Sequence, residues 1–257
     1  MNSPENDLIY VLGHDLRAPV VNFRGFLGRL QRSCEELRAQ AAGWPLTPEQ
    51  RNSADRLLEQ KVGSSLEVLD RTAQKMDRLV GALLELSRAG RDPVQLEPVA
   101  VSDLVGSLGE EYQQQASAKG VGMRWASAPT LCADRGRLEQ ILRRLLDNAL
   151  KFLDPQRPGR IEMGGAIIGR EATCWVRDNG IGIREEHFER IFLPFGRIRQ
   201  VEAPGEGVGL AIARKLAAQM GGSIRVESTH GQGSTFWLHL PVGEASEWAS
   251  PVAQEIL

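Results

Sequence analysis

The sequence has little cysteine, little histidine, no long apolar run and no excess of charge of either sign. No uncharged apolar run approaches the roughly 18 residues that a membrane-spanning helix needs. The first ten residues (MNSPENDLIY) lack the basic region and apolar run of a signal peptide, so we expect none there. Lys and Arg number 31 against 33 Asp and Glu, and this balance gives no bulk reason to expect nucleic acid or an anionic membrane as partner.

The scarce cysteines and histidines exclude two further classes. Three widely spaced cysteines, Cys34, Cys132 and Cys174, form no CxxC pair, which is typical of a reduced, cytoplasmic chain rather than a disulfide scaffold. The four histidines are scattered as well, so no histidine cluster predicts a metal centre. The 257 residues, 42% of them hydrophobic, suit one large globular domain or two small ones.

Residues 1–91 predict a helical hairpin. Two apolar stripes step alternately by three and four residues, the spacing of a helix-bundle seam. The segment 41–48 between them breaks the helix, and Thr47 can cap a second helix that begins at Pro48. Two helices with narrow seams cannot enclose a core, so we predict that two hairpins form the four-helix bundle of a homodimer. The stripes comprise Leu12, Leu16, Pro19, Phe23, Phe26, Leu30, Ser33 and Leu37, then Leu66, Leu69, Ala73, Met76, Val80 and Leu83.

Residues 92–242 predict an α+β two-layer sandwich, because runs of strand alternate with helices and glycine-rich loops. The boundary between the two domains is expected near residues 90–93. The tail at 243–257 is small and polar, and we expect it to be flexible. Strands are predicted at 120–125, 160–168, 172–177, 223–227 and 234–240, and helices at 102–118, 134–152 and 208–220.

His14 lies in the segment 13–19 (Gly-His-Asp-Leu-Arg-Ala-Pro) of the first predicted helix. Helical spacing places it about 200° from Leu12 and Leu16, on the face opposite the apolar stripe. An exposed imidazole there can meet a second molecule, and the carboxylate of Asp15 can accept a proton from one ring nitrogen. A lone surface histidine is more often simply solvated, so this interpretation depends on the other motifs.

Three glycine-rich segments follow: 178–183 (Asp-Asn-Gly-Ile-Gly-Ile), 205–210 (Gly-Glu-Gly-Val-Gly-Leu) and 231–236 (Gly-Gln-Gly-Ser-Thr-Phe). Asp178 ends a predicted strand, where a buried carboxylate can accept a hydrogen bond from an amino-purine beside close-approaching glycine backbone. The second segment opens a helix, whose amides and positive end suit phosphate. Each segment alone is weak evidence, since glycine turns are common.

Asn148 and Lys151 lie three residues apart and share one face of a predicted helix. An amide oxygen can ligate Mg²⁺ and an ammonium group can meet phosphate, although a solvated helix face explains one such pair as well. The segment 191–204 begins with apolar residues and ends in a polar, proline-terminated stretch, which predicts a hinged lid.

In this order the segments resemble those of the sensor histidine kinases of two-component systems, over about residues 7–241. The segment 14–19 is similar to the family's phosphoacceptor box, and 147–152 (Asp-Asn-Ala-Leu-Lys-Phe) to its asparagine box. The glycine segments and 192–195 (Phe-Leu-Pro-Phe) are similar to its glycine and phenylalanine boxes. The resemblance implies a dimerisation and histidine-phosphotransfer hairpin followed by an ATP-binding domain of the Bergerat (GHKL) type.

The resemblance also implies roles for the matching residues. His14 is then the phosphoacceptor with Asp15 as its base, and Asn148 holds Mg²⁺. ATP is bound by Lys151 at the phosphates, by Asp178 at the adenine amino group, and by the pocket and lid residues Gly180, Gly182, Gly205, Gly207, Gly209 and Leu210. Phosphate passes to an aspartate on a separate response regulator, and an upstream sensor domain or a partner supplies the signal.

Three positions depart from the family's pattern. Arg144 stands where a second asparagine is common, and Glu206 stands where Ser or Thr is common, near the expected triphosphate. Ala18 stands where members with strong phosphatase activity carry Thr or Asn. A carboxylate at position 206 is expected to weaken ATP binding by repulsion. Arg144 and Glu206 together keep open a weakly active kinase or a non-catalytic interaction module.

An ATP hydrolase of the related gyrase and Hsp90 type is a further alternative. Those enzymes place a glutamate four residues before the asparagine to activate water. Arg144 occupies that place here, and a guanidinium cannot act as a base.

Overall fold

The computed structural model describes residues 4–41, 43–168, 171–196, 198 and 206–242, except for the side chains of residues 4–14, 58, 59 and 168. The chain divides into two compact units, Met1–Arg88 and Ala89–Leu257. The predicted tail at 243–257 lies outside the described residues, as does most of the second half of the predicted lid. Within the described residues, no helix is long and apolar enough to cross a membrane.

The first unit is a helical hairpin. Helix α1 spans Pro4–Ala41, and after the turn a second helical arm consists of α2 (Pro48–Asp55), a π-helical segment (Arg56–Gly63) and α3 (Ser64–Arg88). The predicted cap is confirmed as a capping box. The Gln50 N–H donates to Thr47 Oγ1 at 3.3 Å, and the Thr47 N–H donates to Gln50 Oε1 at 3.0 Å.

The contact between the two arms differs from the predicted stripe of α1. Val20 packs with Val80 and Leu84 of α3, and Leu27 packs with Leu66 and Ala73. The α1 stripe itself stays 41–64% exposed in this hairpin, at Leu16, Phe23, Phe26, Leu30 and Leu37. Two helices touch along one line only, so a second apolar line on α1 has no partner within the hairpin.

The second unit contains a five-stranded sheet with the order β2-β4-β5-β7-β6. The pair β2–β4 is parallel and the other pairs are antiparallel. The five strands and three helices predicted from the sequence are confirmed with small shifts of their ends. The strands are β2 Gly122–Trp125, β4 Arg160–Ile168, β5 Glu171–Asp178, β6 Ser223–Thr229 and β7 Gly233–Pro241, and the helices are α4 Val101–Ala118, α5 Arg135–Lys151 and α6 Gly209–Gln219.

The core lies between one face of this sheet and the helices. Strand register aligns Met163, Val176 and Phe236 across three neighbouring strands, and all three side chains are buried. They meet the apolar face of α5, in which Leu138, Ile141, Leu142, Leu145 and Leu146 are fully buried. This arrangement is the two-layer sandwich that the sequence predicts.

A two-stranded antiparallel sheet is an addition to the predicted elements. It pairs β1 (Glu97–Ala100) with β3 (Thr130–Ala133). Each strand has four residues and β1 contains Pro98, so neither carries the alternating pattern of a longer strand. The β3 strand leads directly to Asp134, the residue that caps α5.

Asp134 fixes the start of α5 through three groups. Its carboxylate accepts the Arg137 N–H at 3.0 Å and the Gln95 N–H at 3.1 Å. It also pairs at 3.1 Å with the Arg137 guanidinium, which is buried and donates in addition to the Asp92 carbonyl. The helix that carries Asn148 and Lys151 therefore begins at a buried charge pair.

Replacing Asp134 with Ala is expected to lower the free energy of unfolding by about 3 kcal/mol, because the helix loses its cap and the Arg137 guanidinium is left buried without its counter-ion. Asp134→Asn keeps a capping oxygen and is expected to lose about half as much. Urea unfolding of both variants measures the difference. Equal stability of the Ala variant and the parent would contradict the assignment.

Candidate functional site

Asp178 ends β5, the central strand of the sheet, and is 7% exposed. Burial raises the pKa of its carboxyl to about 6. Hydrogen bonds from the backbone of Gly180 and Ser234 and the nearby charge of Arg157 act in the opposite direction on this pKa. The Gly180 N–H donates to Asp178 Oδ1 at 2.8 Å. Among the described residues, Asp178 is the only carboxylate that is buried.

The loop after Asp178 turns so tightly that two of its positions require glycine. A Cβ at Gly180 would lie 2.2 Å from the Phe152 carbonyl oxygen, and a Cβ at Gly182 would lie 2.0 Å from the Thr229 oxygen. Gly182 also has a φ of 67°, which side chains rarely adopt. The Ile181 N–H donates to the Phe152 carbonyl at 3.0 Å, so this loop is bound to the residue that follows α5.

The third glycine segment packs against the same loop. Gly233 has a φ of 122°, and a Cβ there would lie 2.1 Å from the Asp178 carbonyl oxygen. Ser228 joins the two segments, because its Oγ accepts the Ile183 N–H at 2.8 Å and donates to the Gly233 carbonyl at 2.7 Å. The sequence analysis did not single out Ser228. The third segment is therefore a backbone support for Asp178.

The α5 face carries Asn148 and Lys151 at the end nearest the loop. Both are half-buried, and the Phe152 N–H donates to the Asn148 carbonyl at 3.2 Å. The Lys151 ammonium lies 5.0 Å from the centroid of the Phe152 ring. The Asn148 side chain makes no hydrogen bond to the described part of the chain. Asp147 is anchored by the Tyr112 hydroxyl of α4 at 2.8 Å.

The α5 helix also meets the start of α6. Gly207 has a φ of 76°, and α6 begins at Gly209 after Val208, which makes no side-chain cap. A Cβ at Gly209 would lie 3.6 Å from Arg144 Cδ. Arg144 precedes Asn148 by one helical turn, so their side chains share a face. The uncapped start of α6, including Leu210, therefore lies beside the polar face of α5.

The structure brings together most of the predicted nucleotide-site residues within the second unit. Phe152 connects Asn148 and Lys151 to the Asp178 loop, and Arg144 connects α5 to Gly209. Gly205 lies outside the described residues. No group of three or more His, Cys, Asp or Glu residues suited to a metal is found in the described residues.

The predicted phosphoacceptor belongs to the first unit. His14 lies in α1, where its side chain is outside the described ones. Asp15 and Ala18 follow it in the same helix and are exposed.

Arg157, like Ser228, was missed by the sequence analysis. Its guanidinium contacts the backbone of residues 179 and 180, so its role depends on a fold that brings the two segments together. The sequence around Arg157, Asp154-Pro-Gln-Arg-Pro158, is rich in turn-forming residues and therefore predicts a loop. It contains nothing that would indicate a functional role for Arg157.

Known proteins are similar to this chain in sequence. The sequence profile described as histidine kinase-, DNA gyrase B-, and HSP90-like ATPase matches residues 133–244. The methanogenesis regulatory histidine kinase FilI of Methanothrix harundinacea is 31% identical over 93% of this chain and 25% of its own length. The sensor histidine kinase ZraS of Escherichia coli is 31% identical over 68% of this chain and 37% of its own length.

A solved structure extends the likeness to the fold. Full-length ShkA, crystallised in complex with AMPPNP, matches 92% of this chain and 46% of its own with a TM-score of 0.60 and 29% identity. The chain spans about a quarter of the length of FilI and less than half of ZraS and ShkA.

The sandwich has the fold of the ATPase domain class shared by histidine kinases, DNA gyrase B and HSP90. The chain as a whole, a helical hairpin followed in sequence by that domain, belongs to the sensor histidine kinases.

Asp178→Asn is expected to stabilise the unliganded protein at pH 8. The folded-state pKa of about 6 lies above the carboxyl group's ordinary value of 3.8, so the buried charge destabilises the fold above pH 6. This penalty declines as the pH falls through 6 and is absent below about 4. Removing it raises the free energy of unfolding by about 1–3 kcal/mol at pH 8.

Urea unfolding at pH 8 and pH 4 measures this effect. The exposed Asp103→Asn variant serves as the control and is expected to show no such difference. A stability gain for Asp178→Asn that does not depend on pH would contradict the assignment.

Proposed function

We propose that this chain phosphorylates itself on His14 with ATP and passes the phosphoryl group to an aspartate of a response regulator. The observation that carries the proposal is the buried Asp178 carboxylate, held beside the Asn148 and Lys151 face of α5 and close-packed glycine backbone. Membership of the sensor histidine kinases supports the two-step reaction.

Base recognition is assigned to Asp178. A buried carboxylate can accept a hydrogen bond from the adenine amino group, and this bond is stronger than an exposed one because water does not compete for the acceptor. Gly180 and Gly182 let the backbone of Phe152 and Thr229 pack directly on the loop, which fixes the loop beside Asp178. The site therefore suits an amino-purine.

Phosphate binding is assigned to Lys151 and the start of α6. The ammonium of Lys151 supplies a point charge, and the N–H groups at residues 209–210 lack a side-chain cap. Asn148 fits Mg²⁺, since its half-buried amide is not engaged by the described side chains and backbone. When bound, Mg²⁺ neutralises the phosphate charge that develops during transfer.

The reaction places His14 as the nucleophile. A ring nitrogen of His14 forms a bond to the γ-phosphorus as the bond to the β–γ bridging oxygen breaks, and ADP leaves with that electron pair. Asp15 accepts the proton from the other ring nitrogen. In the second step the phosphoryl group moves from His14 to a carboxylate oxygen of the regulator.

Two departures from the family pattern leave a non-catalytic module as the competing interpretation. Glu206 is half-buried and precedes the start of α6 by three residues, where it opposes a triphosphate by charge. Arg144 adds a positive charge next to Gly209. Both charges lie near the start of α6, and the positive charge of Arg144 offsets the repulsion between Glu206 and the phosphates. This offset favours a site that still binds nucleotide.

We further propose that two copies pair through the exposed stripe of α1. Five large apolar side chains along one helix remain 41–64% exposed in a single hairpin. Phe26, at 64%, is the most exposed of them. A four-helix bundle buries such a stripe against a second hairpin. The signal is then supplied by an upstream sensor domain or a partner, in a cytoplasmic setting.

His14→Gln is expected to abolish covalent labelling by ATP while leaving nucleotide affinity within about twofold, since nucleotide is assigned to the other unit. Incubation with γ-labelled ATP followed by acid treatment measures the label, because phosphohistidine is acid-labile. A protein that releases phosphate without labelling would be a hydrolase, and one that takes up no label would be an interaction module. Acid-labile label on the Gln variant would refute the assignment of His14.

Phe26→Glu is expected to turn dimers into monomers or aggregates, because burying an unpaired charge in the bundle core lowers the stability of the dimer by about 3 kcal/mol or more. Leu69→Glu in α3 is expected to act in the same way. Val21→Glu is the matched control, since Val21 is 56% exposed and lies outside the stripe. Sedimentation at micromolar concentration decides the matter. A monomeric parent protein would rule the dimer out.

Ala18 is expected to limit phosphatase activity. It follows His14 by one turn of α1, and its methyl group cannot orient the water that attacks an aspartyl phosphate. Ala18→Asn or Ala18→Thr should therefore accelerate dephosphorylation of a phosphorylated regulator, by about tenfold or more. Fast dephosphorylation by the parent protein without added ADP would show that Ala18 has no such role.

A further inference from the structure

The segment 152–160, which connects α5 to β4, encloses the Asp178 loop from one side. Within it, Arg157 directs its guanidinium at two consecutive carbonyl groups. Nε donates to the Asn179 carbonyl at 2.8 Å, and one terminal nitrogen donates to the Gly180 carbonyl at 2.6 Å. The same terminal nitrogen lies 3.4 Å from the Asp154 carboxylate.

This contact is built for a guanidinium. The side chains of Arg157 and Asp154 are 33% and 23% exposed, so the charge pair is largely shielded from solvent. Two donors of a planar fork match two neighbouring carbonyls, whereas a lysine ammonium is a point charge on a flexible stem.

The contact acts on Asp178 through the Gly180 residue. The N–H of Gly180 donates to Asp178 Oδ1, while its carbonyl accepts from Arg157. Gly180 is thereby held on both sides, and the direction of its N–H is fixed. The charge of Arg157 also lowers the pKa of Asp178, against the effect of burial.

We propose that Arg157 is a positioning residue for base recognition, which holds the Asn179 and Gly180 carbonyls so that Asp178 faces an exocyclic amino group of a purine. This inference rests on the proposed nucleotide function of the site. The ligand class is a 6-amino-purine nucleotide. A 6-oxo-purine such as hypoxanthine presents an acceptor to the carboxylate and is rejected.

The loop has a second attachment that does not involve the guanidinium. Asn179 Oδ1 accepts the Arg160 N–H at 2.6 Å, and Asn179 Nδ2 donates to the Pro158 carbonyl at 2.9 Å. The Asn179 N–H donates to the Arg160 carbonyl at 3.1 Å. These bonds keep the two segments together, so we expect variants of Arg157 to remain folded.

The test compares the dissociation constants of ADP and IDP, which differ at the purine 6-position. The parent protein is expected to prefer ADP. In Arg157→Met the affinity for ADP is expected to fall about tenfold while that for IDP changes less than about twofold, so that the preference shrinks. Arg157→Lys is expected to resemble Arg157→Met, because one ammonium cannot hold both carbonyls.

Arg160→Met is the matched control. Its side chain is exposed, and its hydrogen bonds with Asn179 use only backbone atoms of Arg160. The ADP preference of this variant is expected to match that of the parent. Melting temperatures of all variants are recorded alongside, so that any loss of folded protein is separated from a loss of selectivity.

The possible outcomes separate the two proposals. A parent protein that binds neither nucleotide, or binds both equally, contradicts the proposed nucleotide site itself. A parent that prefers ADP, with an unchanged ratio in Arg157→Met, overturns the role of Arg157 alone. Equal weakening of both nucleotides in Arg157→Met, or full rescue by Arg157→Lys, overturns it as well.

Discussion

The candidate site depends on one buried carboxylate, that of Asp178 at the end of the central strand. Placing an ionisable group in an apolar layer is unfavourable, and the raised pKa of about 6 expresses that cost. Two backbone hydrogen bonds and the nearby guanidinium of Arg157 offset part of it. An apolar residue at this position would pack without such compensation. The carboxylate is therefore understood best as an acceptor kept for a ligand.

The glycines of the second unit follow from the same constraint. At Gly180, Gly182 and Gly233 an added Cβ would lie within about 2 Å of a carbonyl oxygen of a neighbouring segment. At each of these glycines the backbone of two segments packs in direct contact. As a result, the segments after β5, before β7 and after α5 meet around Asp178. Such packing holds the loop backbone in close contact with its neighbours beside the carboxylate. The position of the Asp178 carboxylate is thereby fixed before any ligand binds.

Sequence periodicity predicted the hairpin, the five long strands and the three helices of the sandwich, because these elements bury one face and so repeat with a fixed period. The Thr47 cap and the position of Asp178 at a strand end also follow from local sequence. Other features depend on contacts between distant segments, which local patterns do not contain. Arg157 reaches residues 22 and 23 positions away, and Ser228 reaches Ile183. The β1–β3 pair is too short to show a period.

The two units differ in how completely each one buries its own apolar residues. In the sandwich, one sheet face and three helices enclose a core in which Leu145, Val176 and Leu238 are fully buried. The hairpin buries Val20 and Leu27 along one line and leaves a second apolar line of α1 in solvent. Exposed apolar area of this length favours association, because roughly 25 cal/mol is gained for each Å² removed from water. This exposed line is what the proposal of a paired hairpin rests on, because a second hairpin would supply the apolar face that one hairpin lacks.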